Sequence, residues 1–245
     1  MAEESLSQHI SRKELKKDEI RETLAHGAEA VFSHQKMAGL VLGAVLVVAL
    51  AILGWRFYAE RQTGKASAAL EEAMKIFQAR IRAPGEPGEP GEVTYVEEKN
   101  KYEDASKKFY EITGKYWRTR PGQVARYYAA LSEIQLGRFS EAQKLLKEFE
   151  GSGDEEFVAL ARYQLAVVYD KTGKGEDAAK LFRQLAEKPT VFVPKPMALL
   201  ALGDQLRKSN PQEATKVYNQ IRQDFPDSPV AEEAEKRLET FGPKS

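Results

Sequence analysis

Histidine and cysteine, the side chains that most often supply a catalytic base, a nucleophile or a zinc ligand, are nearly missing from this 245-residue chain. It has no cysteine, and its three histidines, His9, His26 and His34, all precede an apolar run that begins at Met37. Disulfides, thiolate metal sites and lipid attachment through cysteine are thereby excluded. The acid–base chemistry that remains rests on carboxylates. Asp154-Glu155-Glu156 and Asp224 are acidic enough for a hydrolase, but they fall in loops or at helix starts, where a negative charge complements the helix dipole. No glycine-rich phosphate loop follows the apolar run. The sequence therefore points away from an enzyme and calls for no cofactor and no metal. Lys plus Arg and Asp plus Glu number 37 each, which leaves no basic excess for a nucleic acid. What is left is recognition by aromatic and aliphatic side chains, and the elements that would position them come next.

The apolar run reads MAGLVLGAVLVVALAILGWRFY, from Met37 to Tyr58. Its uncharged residues through Trp55 span about 28 Å as a helix, close to the hydrocarbon thickness of a bilayer. A helix satisfies every backbone N–H and C=O internally, as lipid demands. Trp55, Phe57 and Tyr58 follow as interfacial aromatics, and Arg56 can snorkel to the headgroups. The run predicts a single transmembrane helix over residues 37–58 in contact with a lipid bilayer. Within it, Gly39 and Gly43 have the small-xxx-small spacing that allows a homodimer of spans. Residues 1–36 are predicted to be an N-terminal tail. Ser11 and Glu14 there have capping-box spacing, and Ile20, Leu24, Ala28 and Val31 form the apolar stripe of an amphipathic helix.

Residues 59–94 are expected to hold a stalk helix from Glu60 to Arg82, with Ala66, Ala69, Leu70, Ala73 and Phe77 along one face. Three Pro-Gly steps between Ala83 and Glu92 end it in an exposed loop. From residue 95 the chain repeats. Tyr102-Glu-Asp-Ala105, Phe139-Ser-Glu-Ala142, Gly175-Glu-Asp-Ala178 and Pro211-Gln-Glu-Ala214 align, with the alanines 37, 36 and 36 residues apart and a large apolar residue four places on. A period of this length predicts a solenoid of helix pairs, because one unit cannot bury its own apolar face. The alanines belong where two helices cross closely. Ala130, Ala166 and Leu202 hold the matching place on the preceding helix, and Gly137 and Gly173 fall in the turns between. Ser228-Pro229 opens a charged last helix through Phe241, suited to shield the open end. The period predicts about eight helices over residues 95–241.

Leu165-Ala166, Tyr169, Gly173, Ala178 and Phe182 match in order the small and large positions of the tetratricopeptide repeat. Arg222 to Pro229 resembles its inter-repeat turn. The expected fold is thus all-α, a single transmembrane helix followed by a tetratricopeptide-type α-solenoid over residues 95–245. The first unit, around Lys101–Arg120, lacks a clean first helix, which residues 60–82 are placed to supply. Counting in the repeat register, Tyr127, Leu131, Ile134, Tyr163, Val167, Asp170, Leu199 and Leu206 are expected to face a groove that takes an extended or helical peptide. Several of them serve equally well as packing residues between repeats.

The whole layout, a short tail, one span and a small repeat domain, is similar to the ancillary subunit of the bacterial Sec translocon. That resemblance implies a single-pass protein of the bacterial inner membrane with a periplasmic repeat domain, and partners among translocon subunits, periplasmic chaperones or secretory clients. A cell-envelope assembly or cell-division scaffold with no translocon role is the alternative. Charge gives the orientation no help. Arg21 and Lys36 flank one side of the span, against Arg56, Arg61 and Lys65 on the other. The N-terminus is expected inside because the tail has no export signal and the similar family has that arrangement.

Overall fold

The computed structural model describes residues 35–86, 91–151 and 154–241. The amphipathic segment expected between Ser11 and Val31, the three histidines and the middle of the Pro/Gly loop lie outside them. The chain forms two compact units that divide between Glu60 and Arg61. Helix α1 (Gln35–Phe77) starts in the first and ends in the second.

In the first unit every described side chain from Gly39 through Tyr58 is exposed. A helix that is apolar on all sides and that no other described residue covers is poorly suited to water. It is long and apolar enough to cross a membrane. At its end the rings of Trp55 and Tyr58 lie 6.3 Å apart.

In the second unit α1 stops at Phe77, before the expected limit of Arg82. Beyond it Arg80–Ile81 (β1) pairs in parallel with Thr94–Tyr95 (β2). This short ladder, which the sequence did not suggest, takes up backbone groups that the helix would otherwise use: the Arg82 N–H donates to the Tyr95 carbonyl at 2.8 Å. Glu86 fastens the start of the Pro/Gly loop by accepting from Arg80 Nη1 at 2.7 Å and from the Ala83 N–H at 3.0 Å.

Eight α-helices follow: α2 (Glu98–Tyr116), α3 (Arg120–Gln135), α4 (Phe139–Lys147), α5 (Glu155–Lys171), α6 (Gly175–Glu187), α7 (Lys195–Ser209), α8 (Pro211–Asp224) and α9 (Pro229–Phe241). Several start for a local reason. Thr119 accepts from the Gly122 N–H and Asp154 from the Phe157 N–H, while Asn210 accepts from the Glu213 N–H and returns its own amide to the Glu213 carboxylate. Proline occupies the first turn of α3, α7 and α8, where its missing donor costs nothing. Gly137 and Gly173 sit at φ 72° and 78° in the turns after α3 and α5, a region that side chains with a Cβ avoid.

The repeat register carries through to packing. Ala105, Ala142, Ala178 and Ala214 are buried, as are Ala130, Ala166 and Leu202 on the preceding helices. Sequence neighbours pack as a chain of pairs, α2 on α3, α3 on α4 and so on to α9, which is how a solenoid stacks. Two apolar clusters result. One gathers Ala73 of α1 with α2, α3, α4 and part of α5, around Phe109, Leu146 and Phe149. The other runs from α5 to α9 around Phe182, Leu202, Tyr218 and Ile221. Leu160, Tyr169 and Leu181 touch both. In the first cluster the ring of Phe77 lies 5.5 Å from Tyr102, 6.0 Å from Phe109 and 5.1 Å from Tyr128. The end of α1 thus supplies the first helix that the pair α1–α2 requires.

Because Ala178 is fully enclosed between α6 and its neighbours, Ala178→Leu overpacks the crossing. The expected loss is about 1–3 kcal/mol, read by thermal or denaturant unfolding. An unchanged unfolding midpoint would contradict the register.

Candidate protein-binding face

The first helix of each pair, α3, α5 and α7, carries the eight residues expected to face a groove. In α3, Tyr127 is buried, its ring edge-on to Tyr128 at 5.7 Å, and its hydroxyl accepts from Gln164 Nε2 of α5 at 3.2 Å. That bond ties α3 directly to α5. Leu131 and Ile134 are half-buried against the first cluster. In α7, Leu199 and Leu206 are buried in the second cluster. Leu199 also borders a cavity of about 590 Å³ beside Arg183, Glu213 and Val217, on α6 and α8.

Tyr163, Val167 and Asp170 come together. They line one cavity of about 730 Å³ between α5 and α7, which also takes in Phe182 from α6 and reaches Arg237 on α9. Its apolar wall is Tyr163 set edge-on against Phe182 at 5.4 Å. The opposite wall is polar. Asp204 accepts from Tyr218 Oη at 2.9 Å and from Arg237 Nε at 2.8 Å, and Arg237 is held in turn by Glu233. Lys171, Arg207 and Lys208 complete the rim. Gln205 contributes an amide oxygen that is buried without a hydrogen-bond partner, a group whose desolvation is unrewarded until a donor reaches it. The combination, an aromatic shelf beside a set of fixed charges, suits a peptide segment with one apolar and one polar side.

Burial controls the titration of the tyrosines here. It raises the Tyr127 phenol and, together with the field of Asp204, the Tyr163 phenol. Tyr218 is held well above the ordinary tyrosine range, first by burial and then by its bond to Asp204. The hydrogen bond to Asp204 is the main cause that raises Arg237.

Asp204, Phe182 and Arg237 were not among the residues singled out from sequence as lining this site. A signal existed for Asp204, a lone acid inside the run Ala198 to Leu206 on a helix whose apolar residues pack both ways. For Arg237 there was none, because α9 enters the site from outside the repeat register. Among the described residues no group of His, Cys, Asp or Glu is arranged to hold a metal ion.

Paired antiparallel helices stacked in series define an α-solenoid. Residues 34–220 match the family model described as Tetratricopeptide repeat-like domain, and the chain belongs to that family. Repeat domains of this kind generally serve as scaffolds for protein–protein interaction rather than as catalysts. Comparison with curated proteins found no match, and comparison with solved structures found none either.

The two raised phenols that bond to carboxylates make a pH prediction. Tyr218 is held up as described, and Tyr95 is pushed up to about 12 by burial and its bond to Asp104. Folded values above the unfolded value of about 10 mean that the neutral phenols stabilise the fold below that pH, and that this contribution is lost as pH rises through the folded values. The unfolding midpoint should hold steady from about pH 7 to 9 and fall above about pH 10. In Tyr218→Phe the alkaline fall should be smaller. A midpoint that rose above pH 10 would contradict the assignment.

Proposed function

We propose that this chain is a membrane-anchored scaffold whose repeat domain binds proteins or chaperones at the bacterial Sec translocon. The observation that carries the scaffold reading is the cavity shared by Tyr163, Val167 and Asp170, an open aromatic and charged site on the recognition face of an interaction repeat. The remaining predicted positions, Tyr127, Leu131, Ile134, Leu199 and Leu206, extend the proposed peptide-binding face along α3 and α7. The anchor reading rests on the exposed apolar helix, with residues 37–58 as the span. The translocon rests on the resemblance in layout, and with it come the inner membrane, the periplasmic repeat domain and the partners: translocon subunits, periplasmic chaperones or secretory clients.

Tethering gives a weak site a use. Holding a shallow groove near its partners converts a bimolecular encounter into a local one at high effective concentration, so modest affinity suffices. The chemistry in this reading is binding alone, with no cofactor and no nucleic acid. Gly39 and Gly43, with open space above each Cα, leave room for a second span to approach, so a homodimer is part of the proposal.

Two measurements check it. Photo-crosslinkers placed at Tyr163 in the full chain should capture translocon subunits, chaperones or nascent secretory proteins, and capture should drop when the span is replaced by a cleavable signal. Crosslinks confined to cell-division or envelope-assembly proteins would transfer the assignment to that alternative. Protease added to spheroplasts should digest the repeat domain. Protection until lysis would reverse the orientation.

A further inference from the structure

Two exposed apolar tips stand on the same edge of the repeat unit. Contacting helices joined by short connections run antiparallel, so alternate connections fall on one edge. The α2–α3, α4–α5, α6–α7 and α8–α9 connections share that edge, while Gly137 and Gly173 mark the other. Phe77 at the end of α1 packs on Tyr102 near the start of α2, so α2 runs back and ends at the edge where the chain enters this unit, at Arg61. In sequence, Arg61 comes three residues after Tyr58, where the apolar run closes.

The first tip is Trp117, 53% exposed, with the Arg118 guanidinium 4.5 Å above its ring. The second is Val191-Phe192, with Val191 82% exposed. Nothing about the second tip is slack. The Glu156 carboxylate accepts from the Val191 N–H at 3.2 Å and from the Phe192 N–H at 2.9 Å. Thr190 exchanges bonds with Val193, and Val193 is driven into the core. The fold therefore holds two large apolar groups out in water at fixed positions, where ordinary packing would have turned them in.

Charge says what covers them. Lys115 and Arg118 flank Trp117, and Lys188 and Lys195 flank the second tip; none of the four is in an ion pair among the described residues. Most acids of the same edge are engaged inside the protein: Glu148 with Arg126, Glu150 with Arg162, Glu156 with the tip backbone and Asp154 as a helix cap. Glu155 of that connection and Glu187, next to Lys188, carry no ion pair among the described residues, which leaves two such acids against the four cations. The α8–α9 connection carries Asp227 and no exposed large apolar side chain, which limits the contact to the part of the edge nearer α1. Apolar tips flanked by cations in excess of the free acids match a bilayer interface, where rings and aliphatic groups enter the headgroup layer and Lys and Arg meet anionic lipid. Two separate tips on one edge also suit a broad surface better than a single pocket.

We propose that the edge carrying Trp117 and Val191-Phe192 docks on an anionic bilayer surface. The inference rests on the reading of residues 37–58 as a membrane span. The absence of native cysteine makes the test direct. Leu46→Cys, Trp117→Cys, Val191→Cys and Gln135→Cys, the last near the opposite edge, are each labelled with a fluorophore in the full chain. They are reconstituted in vesicles of phosphatidylcholine with phosphatidylglycerol, or of phosphatidylcholine alone, and quenched by headgroup- and acyl-chain-nitroxide lipids.

Headgroup quenching at Trp117 and Val191, several-fold stronger than at Gln135 and stronger with phosphatidylglycerol, is the expected result. Arg118→Glu or Lys188→Glu should weaken the contact at least about fivefold. Acyl-chain quenching at Leu46 with none at either tip overturns the docking while the span stands. Loss of quenching at Leu46 as well overturns both. Quenching at one tip only, or indifference to lipid charge, also overturns the proposal, and capture of a protein by the tips where lipid quenching fails would assign the edge to that partner.

Discussion

Two helices can cross at close range only where neither carries bulk, and in this chain that requirement is met by a small side chain recurring at a fixed interval. Ala105, Ala142, Ala178 and Ala214 are each buried on the second helix of a pair, the last three in its first turn, and Ala142, Ala178 and Ala214 share a cluster with Ala130, Ala166 and Leu202 of the preceding helices. With the crossings closed, the next large residues along each helix, Phe109, Leu146, Phe182 and Tyr218, reach inward and fill the clusters. The turns, caps and prolines then need only reverse the chain at the correct length. The alignment of the first helices follows from the same geometry, since stacking the pairs leaves them side by side, as the Tyr127–Gln164 bond between α3 and α5 records.

This architecture was legible because it is periodic. Spacing alone located the alanines, the positive-φ glycines and the last helix from Pro229 to Phe241, all of which the structure bears out. What lay outside the period was not legible. The pairing of Arg80–Ile81 with Thr94–Tyr95 depends on contacts across a Pro/Gly loop whose composition argues against any regular structure. The cavity is a mixed case. Counting in register brought Tyr163, Val167 and Asp170 to one place, but Arg237 belongs to the terminal helix, which has no equivalent in the other units. Register also fails to say whether a position on the first helix faces open space or the next repeat. Leu199 and Leu206 are buried, while Asp170, on the same kind of helix, is exposed.

Charge is distributed with a similar division of labour. The chain is neutral in sum, yet among the described residues several acids are committed to specific internal partners while a number of lysines are not. Glu150, Glu156 and Asp204 each hold a specific partner, and the first two are lowered in pKa by those bonds, Glu150 chiefly by Arg162 and Glu156 chiefly by the Phe192 N–H. Lys115, Lys188 and Lys208 stand at the surface beside apolar or aromatic groups. A neutral composition can therefore present locally cationic surfaces without any excess appearing in the count.

The meeting of the two apolar clusters has a mechanical consequence. Solenoid units touch only their neighbours, so a load on one unit passes in series through every interface behind it. Leu160, Tyr169 and Leu181 are the residues common to both clusters, and a ligand pulling at the Tyr163 cavity would transmit its tension toward α1 through that seam. The seam is thus one of the interfaces that any such load must cross.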